Sequence, residues 1–258
     1  MVVVDGLAIR YEIHGSGTPL LLIMGLGGHL DIWRSFQSSL QDFETIAFNA
    51  PGAGSSPSPL LPLRMRQLAR LTAHLLDALG YEKVDVLGVS LGGGVAQELT
   101  RQMPDRVRRL VLVATACGVG AVPGNPLVLL GMATPYRYYS RGFFERYAAS
   151  TYGGRLRTEP DLVREVAGQW LSHPPSVWGY ISQVSALWGW TSLPWLHRIS
   201  QPTLVLTGDD DPLVPPINSK ILANRIPSAR LEVLPGGHLL LLEQTDRIAG
   251  LVRDFLCN

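Results

Sequence analysis

Cysteine is almost missing from this chain, which holds only Cys117 and Cys257. Two thiols make no disulfide framework, and a reduced, cytoplasmic protein is the expectation that follows. An excess of one charge is missing too. Lys and Arg number 22 against 21 Asp and Glu, a net charge of +1. Arg64, Arg66 and Arg70 fit the solvated face of a helix, so a nucleic-acid partner has no electrostatic support. No apolar run reaches ~18 residues, so no integral membrane contact is expected. The opening Met-Val-Val-Val-Asp lacks the charged and apolar regions of a signal peptide. Metal-ligand spacing of His, Cys and carboxylates is absent, as are a phosphate-cradling loop and a complete dinucleotide fingerprint. The expectation is no metal and no cofactor.

What is present is an apolar, turn-rich composition. Hydrophobic residues make up 46% of the chain and charged residues 17%, with 27 Gly and 19 Pro. That excludes disorder and fibrous repeats, and 258 residues permit one large α/β domain spanning 1–258. Short apolar runs at 20–24, 45–48, 84–87, 110–113 and 203–206 read as strands buried on both faces. Residues 7–12 and 231–234 read as an early and a last strand. Met65, Leu68, Leu71, Leu75 and Leu79 recur at helical spacing. Val95, Leu99 and Met103 do the same until Pro104 stops the helix, and 247–256 reads as a closing helix. This alternation predicts a mostly parallel sheet with helices on both faces. The stretch 115–202 breaks the rhythm and is too long for a structureless loop. With a helix-like piece at 161–171 and many Trp and Tyr, it predicts a helical cap inserted at 118–196. The Gly/Ser/Pro stretch 51–62 is expected at the rim of the site.

The chemistry centres on Gly88-Val89-Ser90-Leu91-Gly92. It lies between an expected strand and an expected helix, the context a nucleophile elbow requires. A turn that sharp crowds side chains two residues either side of the serine, and Gly88 and Gly92 remove the clash. A serine hydroxyl needs a base. Of six histidines, His238 follows Pro235-Gly236-Gly237 just after the last expected strand, on a turn able to reach the elbow. His14, His74, His173 and His197 read as structural or solvated, and His29 as a possible substrate contact. The acid that orients the base should follow the strand at 203–206, where Asp209, Asp210 and Asp211 stand together. Asp211 is preferred because Pro-Leu-Val-Pro follows it, whereas Asp209 and Asp210 fit loop caps. The oxyanion hole needs two backbone N–H groups. Leu91 is one expected donor and Leu26, in Gly25-Leu26-Gly27-Gly28, the other, although that loop reads equally well as a plain glycine turn. A histidine base must be neutral to take the proton, so activity is expected to rise through the neutral range.

With those residues in place, the sequence resembles the α/β-hydrolase superfamily over nearly its whole length. The stretches from Thr115 to Pro126, Thr151-Tyr-Gly-Gly, Leu187-Trp-Gly-Trp-Thr-Ser, Trp195-Leu-His-Arg-Ile-Ser-Gln-Pro and Gly208-Asp-Asp-Asp-Pro-Leu-Val-Pro look like the intracellular medium-chain-length polyhydroxyalkanoate depolymerases. The resemblance implies hydrolysis of a hydrophobic storage polyester by Ser90, Asp211 and His238, and possible contact with a polymer granule surface. Met24-Gly25 stands where many members have His-Gly, and Asn49 where many have Asp. Trp170, Trp178, Trp188 and Trp190 are candidate linings of a pocket for an acyl chain, though any single tryptophan serves a cap core as readily. A lactonase, thioesterase or other acyl-transfer enzyme on the same fold, or a non-catalytic ligand receptor, stays open on sequence alone.

Overall fold

The computed structural model describes residues 1–258. Its strands are β1 (Val2–Val4), β2 (Leu7–Ile9), β3 (Tyr11–His14), β4 (Thr18–Ile23), β5 (Phe43–Phe48), β6 (Val84–Val89), β7 (Val107–Val113), β8 (Thr203–Gly208) and β9 (Ala229–Leu234). Helices are α1 (Arg34–Ser38), α2 (Met65–Ala78), α3 (Leu91–Gln102), α4 (Pro126–Met132), α5 (Arg141–Tyr152), α6 (Pro160–Trp170), α7 (Val177–Ala186), α8 (Ile217–Arg225), α9 (Leu240–Glu243) and α10 (Thr245–Cys257). Seven strands form the main sheet in the order β3-β5-β4-β6-β7-β8-β9. Every neighbouring pair is parallel except β3 with β5.

The continuous apolar runs are explained by two cores, one on each side of the sheet. Along β4, Leu20 and Leu22 enter one core while Leu21 and Ile23 enter the other. Along β7, Val111 and Val113 face the first, and Leu110 and Leu112 the second. With no solvent face, these positions are apolar on both sides of the strand. The helix α2 begins where the Gln67 side chain accepts the Arg64 N–H at 2.8 Å. Its apolar stripe of Met65, Leu68, Leu71 and Leu75 is buried in the second core, and it packs beside α3.

One expected strand divides in two. Residues 7–12 supply β2, which pairs with β1 across the Asp5-Gly6 turn, and then β3, which joins the main sheet. Asp5 and Gly6 both have positive φ, +50° and +79°, the requirement of a tight hairpin turn that matches strand twist. Between β7 and β8 lie α4, α5, α6 and α7, joined by short 3₁₀ turns. No helix of the protein is long and apolar enough to cross a membrane.

Candidate active site

Four strands of the sheet deliver the expected site residues from their carboxyl ends, the edge where open α/β sheets bind ligands. β4 leads to the loop at 25–28, β6 to Ser90, β8 to Asp211 and β9 to His238. Ser90 has φ +53° and ψ −118°, a conformation costing an L-residue ~1–3 kcal/mol. It is held from several sides. The Ser90 N–H donates to Val113 O at 2.9 Å, and the Thr115 hydroxyl donates to Ser90 O at 2.7 Å. A Cβ on Gly92 would collide with Ile23 O, and one on Gly88 with Gly92 O. The two elbow glycines are therefore required by close backbone approach as well as by the turn.

His238 Nε2 lies 3.1 Å from Ser90 Oγ, and its Nδ1 lies 2.7 Å from Asp211 Oδ2. Both His238 and Asp211 are buried. The other Asp211 oxygen accepts the N–H groups of Leu213 at 2.9 Å and Val214 at 2.8 Å. A side chain fixed in this way favours the ring tautomer that donates from Nδ1 to the acid and accepts at Nε2 from the serine. The neighbouring aspartates go elsewhere. Asp209 accepts the Gly236 N–H at 3.0 Å. Asp210 pairs with Arg157 at 2.5 Å and accepts the Gly154 N–H at 2.9 Å. The Arg157 guanidinium beside Asp210 holds its carboxyl below the usual aspartate value.

The loop at 25–28 lies directly against the serine, since a Cβ on Gly25 would stand 3.2 Å from Ser90 Cβ. The Leu26 N–H has no protein partner, and the Leu91 N–H sits in the first turn of α3, where the helix ladder supplies no acceptor. Two backbone donors without protein acceptors, on residues that line one cavity with Ser90, are what an oxyanion hole would require. Gln183, Tyr138 and Glu243, which the sequence did not single out, and Asn49, which it did, hold the surrounding loops. Gln183 of α7 accepts the Gly27 N–H at 2.8 Å and donates to Pro51 O at 3.1 Å. The Tyr138 hydroxyl donates to Leu26 O, and Asn49 accepts the Leu30 N–H at 2.7 Å. Glu243 receives the Gly237 N–H at 3.2 Å and so braces the histidine turn. Burial pushes the Glu243 carboxyl above its usual value, against the pull of the Arg155 and Gly237 N–H groups. Asn49 apart, only a general rule, that buried polar side chains are bonded, could have pointed to these residues.

Ser90, Leu26 and Leu91 open into a largely apolar cavity of about 520 Å³, bounded also by Leu129, Leu187 and Trp190. Of the four candidate tryptophans, only Trp190 lines it. Trp170 is buried beside Tyr138 and Tyr152 in the first core. The Trp178 indole donates to Pro59 O at the rim loop, and Trp188 is 82% exposed. The spacing of α6 and α7 turns Trp170 and Trp178 away, because each helix has to bury one stripe against the body, and Trp188 lies in the turn that follows α7.

His29 is not a wall of the cavity either. Its Nε2 lies 3.0 Å from Gln169 O, burial holds its pKa below the usual histidine value, and Asp31 and His173 stand beside it. These three offer ligand atoms within 4.8 Å of one another, a grouping invisible to local spacing. Arg34 already sits 2.5 Å from Asp31, however, and opposes a second cation there.

The alpha/beta hydrolase fold family matches residues 18–245. A poly(3-hydroxyalkanoate) depolymerase of Ectopseudomonas oleovorans is 46% identical over 240 residues, covering 93% of this chain and 84% of that one. A 3-oxoadipate enol-lactonase of Acinetobacter baylyi is 28% identical over 92% of this chain and 88% of that one. A thermophilic esterase of Thermogutta terrifontis superposes with a TM-score of 0.81 at 27% identity, over 97% of this chain and 93% of that one.

Proposed function

The chain belongs to the α/β-hydrolase fold family, and on that footing we propose that it hydrolyses ester bonds of a hydrophobic polyester or medium-chain acyl ester, as a poly(3-hydroxyalkanoate) depolymerase does. The observation that carries the reading is the line of contacts from Asp211 through His238 to Ser90, 2.7 Å and 3.1 Å long, opening on an apolar cavity. The 46% identity to a depolymerase along most of the chain supports the substrate class.

Ser90 Oγ attacks the ester carbonyl while His238 Nε2 takes its proton. Asp211 stays ionised and stabilises the imidazolium. The oxyanion is received by the N–H groups of Leu26 and Leu91. His238 then protonates the leaving alkoxide, and a water molecule, deprotonated by the same ring, releases the acyl chain from Ser90.

A granule surface is the natural partner of such an enzyme, and the exposed apolar side chains support it. Leu127, Leu130, Tyr136, Tyr139 and Trp188 are all more than half exposed, and all belong to the insertion between β7 and β8.

The test is hydrolysis of a chain-length series of acyl esters and of an emulsion of medium-chain polyhydroxyalkanoate, with wild type and Ser90→Ala. Cleavage of polymer and medium-chain esters by wild type, falling by about 10⁴-fold or more in Ser90→Ala, is expected. A profile peaking at acetate esters with intact polymer would leave a general esterase. Turnover that survives in Ser90→Ala would remove the serine mechanism.

A further inference from the structure

A second cavity lies inside the insertion, and its chemistry is unlike that of the first. It encloses about 370 Å³, lined by α4 and α5 through Val128, Met132, Phe144 and Ala148, together with Arg137 and Tyr152. That volume is within the ~300–1,000 Å³ of small-molecule sites. Arg137 lies on the 3₁₀ turn Pro135–Tyr138 and is only 5% exposed. No Asp or Glu approaches within 4.0 Å of it, since it enters none of the ion pairs of the protein. A guanidinium cannot shed its proton in a protein, so this is a full positive charge buried without a counter-charge, an arrangement that costs several kcal/mol unless something compensates it.

The compensation visible in the protein is partial. Nη1 donates to the Tyr180 hydroxyl at 2.5 Å and Nη2 to the Tyr138 hydroxyl at 3.3 Å. The guanidinium lies 4.5 Å from the Tyr138 ring centre and 5.2 Å from that of Tyr180. Arg137 Nε has no acceptor, and the buried Tyr152 hydroxyl has no partner either. Both residues line the same apolar cavity. A cation with no counter-charge and a hydroxyl with no partner, closed in just behind the wall of a greasy chamber, form the complement of one ligand type, a carboxylate on an aliphatic chain. With both Nη atoms serving tyrosine hydroxyls, Nε is the donor left for a carboxylate oxygen, a charge-assisted bond.

The position of the chamber fits the proposed reaction. Met132 lines both this cavity and the one at Ser90, and its flexible thioether makes an adaptable partition. Tyr152 lies beside His238, ring centres 6.4 Å apart and planes 20° apart, and its backbone oxygen accepts the His238 N–H at 2.6 Å. Tyr138 joins Arg137 to the oxyanion loop through Leu26 O. We propose that the chamber at Arg137 is a carboxylate subsite for a medium-chain aliphatic acid, filled either by the carboxyl end of a polyester chain whose ester lies at Ser90 or by the released hydroxy acid. This rests on the ester-hydrolase reading for its biological source, though binding itself does not require turnover.

The experiment is titration calorimetry with 3-hydroxyoctanoate and, as neutral control, its methyl ester, in proteins that all carry Ser90→Ala so that the ester is not cleaved and that are otherwise wild type or variant. Wild type is expected to bind the acid about tenfold or more tightly than the ester, the order of a charge-assisted pair, and Arg137→Met to abolish that preference. Tyr152→Phe deletes a hydroxyl with no protein partner, so it keeps the fold even if Arg137→Met does not. It is expected to weaken the acid several-fold and leave the ester alone, which a purely structural role for Tyr152 would not do. The two sources separate kinetically with a hydroxyoctanoate dimer. A higher kcat/KM for the free-acid dimer than for its methyl ester identifies the chain end, and inhibition by the acid without that preference identifies the product; either supports the subsite. Equal binding of acid and ester by wild type, or unchanged acid affinity in both variants, overturns it. If no ester is cleaved at all, the functional reading fails while the binding result stands.

Discussion

Three consecutive aspartates in identical local sequence end in three different environments, and the difference is testable. Asp211 is buried and reaches His238, whereas Asp210 is half exposed and pairs with Arg157. Asp211→Asn keeps the shape but offers the wrong hydrogen-bonding partner to the ring, so kcat is expected to fall by ~10⁴-fold. Asp210→Asn is expected to leave ester turnover near wild type and to act on stability instead. Because Arg157 depresses the folded-state pKa of Asp210, its contribution is present above the unfolded aspartate value of ~3.9 and disappears as pH falls through the lower folded value. For an exposed pair that contribution is ~0–1 kcal/mol. Urea unfolding of wild type and Asp210→Asn should therefore differ by that small amount at neutral pH and converge in strong acid. Loss of turnover in Asp210→Asn comparable to that in Asp211→Asn would assign the acid wrongly.

Among the elements, α7 and α4 carry the most specific expectations. α7 places Gln183 where one amide serves both the loop at 25–28 and the loop at 51–62, and its Gly179 lies against Gly52 so closely that a Cβ on either would collide with the other. Gln183→Leu leaves the Gly27 N–H unpaired, at ~1–3 kcal/mol of stability. It also loosens Leu26, for which a displacement of ~1 Å costs on the order of 10²-fold in rate. Steady-state kinetics on a soluble ester should show the loss in kcat more than in KM. α4 presents Leu130 outward, 72% exposed. If this face meets polymer, Leu130→Glu combined with Trp188→Glu should depress turnover of a polymer emulsion and leave soluble medium-chain esters unaffected. Equal effects on both substrates would count against surface contact.

For the whole molecule, the two-sided sheet divides the apolar interior into separate compartments. Phe36 belongs to the core that also holds α10 residues Ile248 and Val252, and Leu99 to the one under α2. Phe36→Ala and Leu99→Ala should each destabilise by ~3–5 and ~2–5 kcal/mol respectively. With the sheet between them and no shared partner, the double variant should match the sum within ~0.5 kcal/mol by denaturant unfolding. A large coupling energy would mean that the sheet transmits strain from one core to the other.

The pattern of strands, the sheet's two buried faces and the three side chains that meet at Ser90, His238 and Asp211 were legible in the sequence because each depends on local rules. Continuous apolar runs mark buried strands, periodic leucines mark helix stripes, and a Gly-X-Ser-X-Gly turn marks an elbow wherever strand and helix flank it. The expected strand at 7–12 was the exception, since a two-residue hairpin at Asp5-Gly6 claimed half of it. What tertiary structure alone decided is everything that depends on which way a side chain points after distant segments meet. Trp190 reaches the cavity while Trp170, Trp178 and Trp188 do not. Gln183 and Glu243 brace the turns at Gly27 and Gly237, 156 and 6 residues away. Arg137 comes to rest among tyrosines with no acid beside it. Helix periodicity fixes a stripe but not its partner, and a buried polar group's partner is set by packing across the whole chain rather than by its neighbours in sequence.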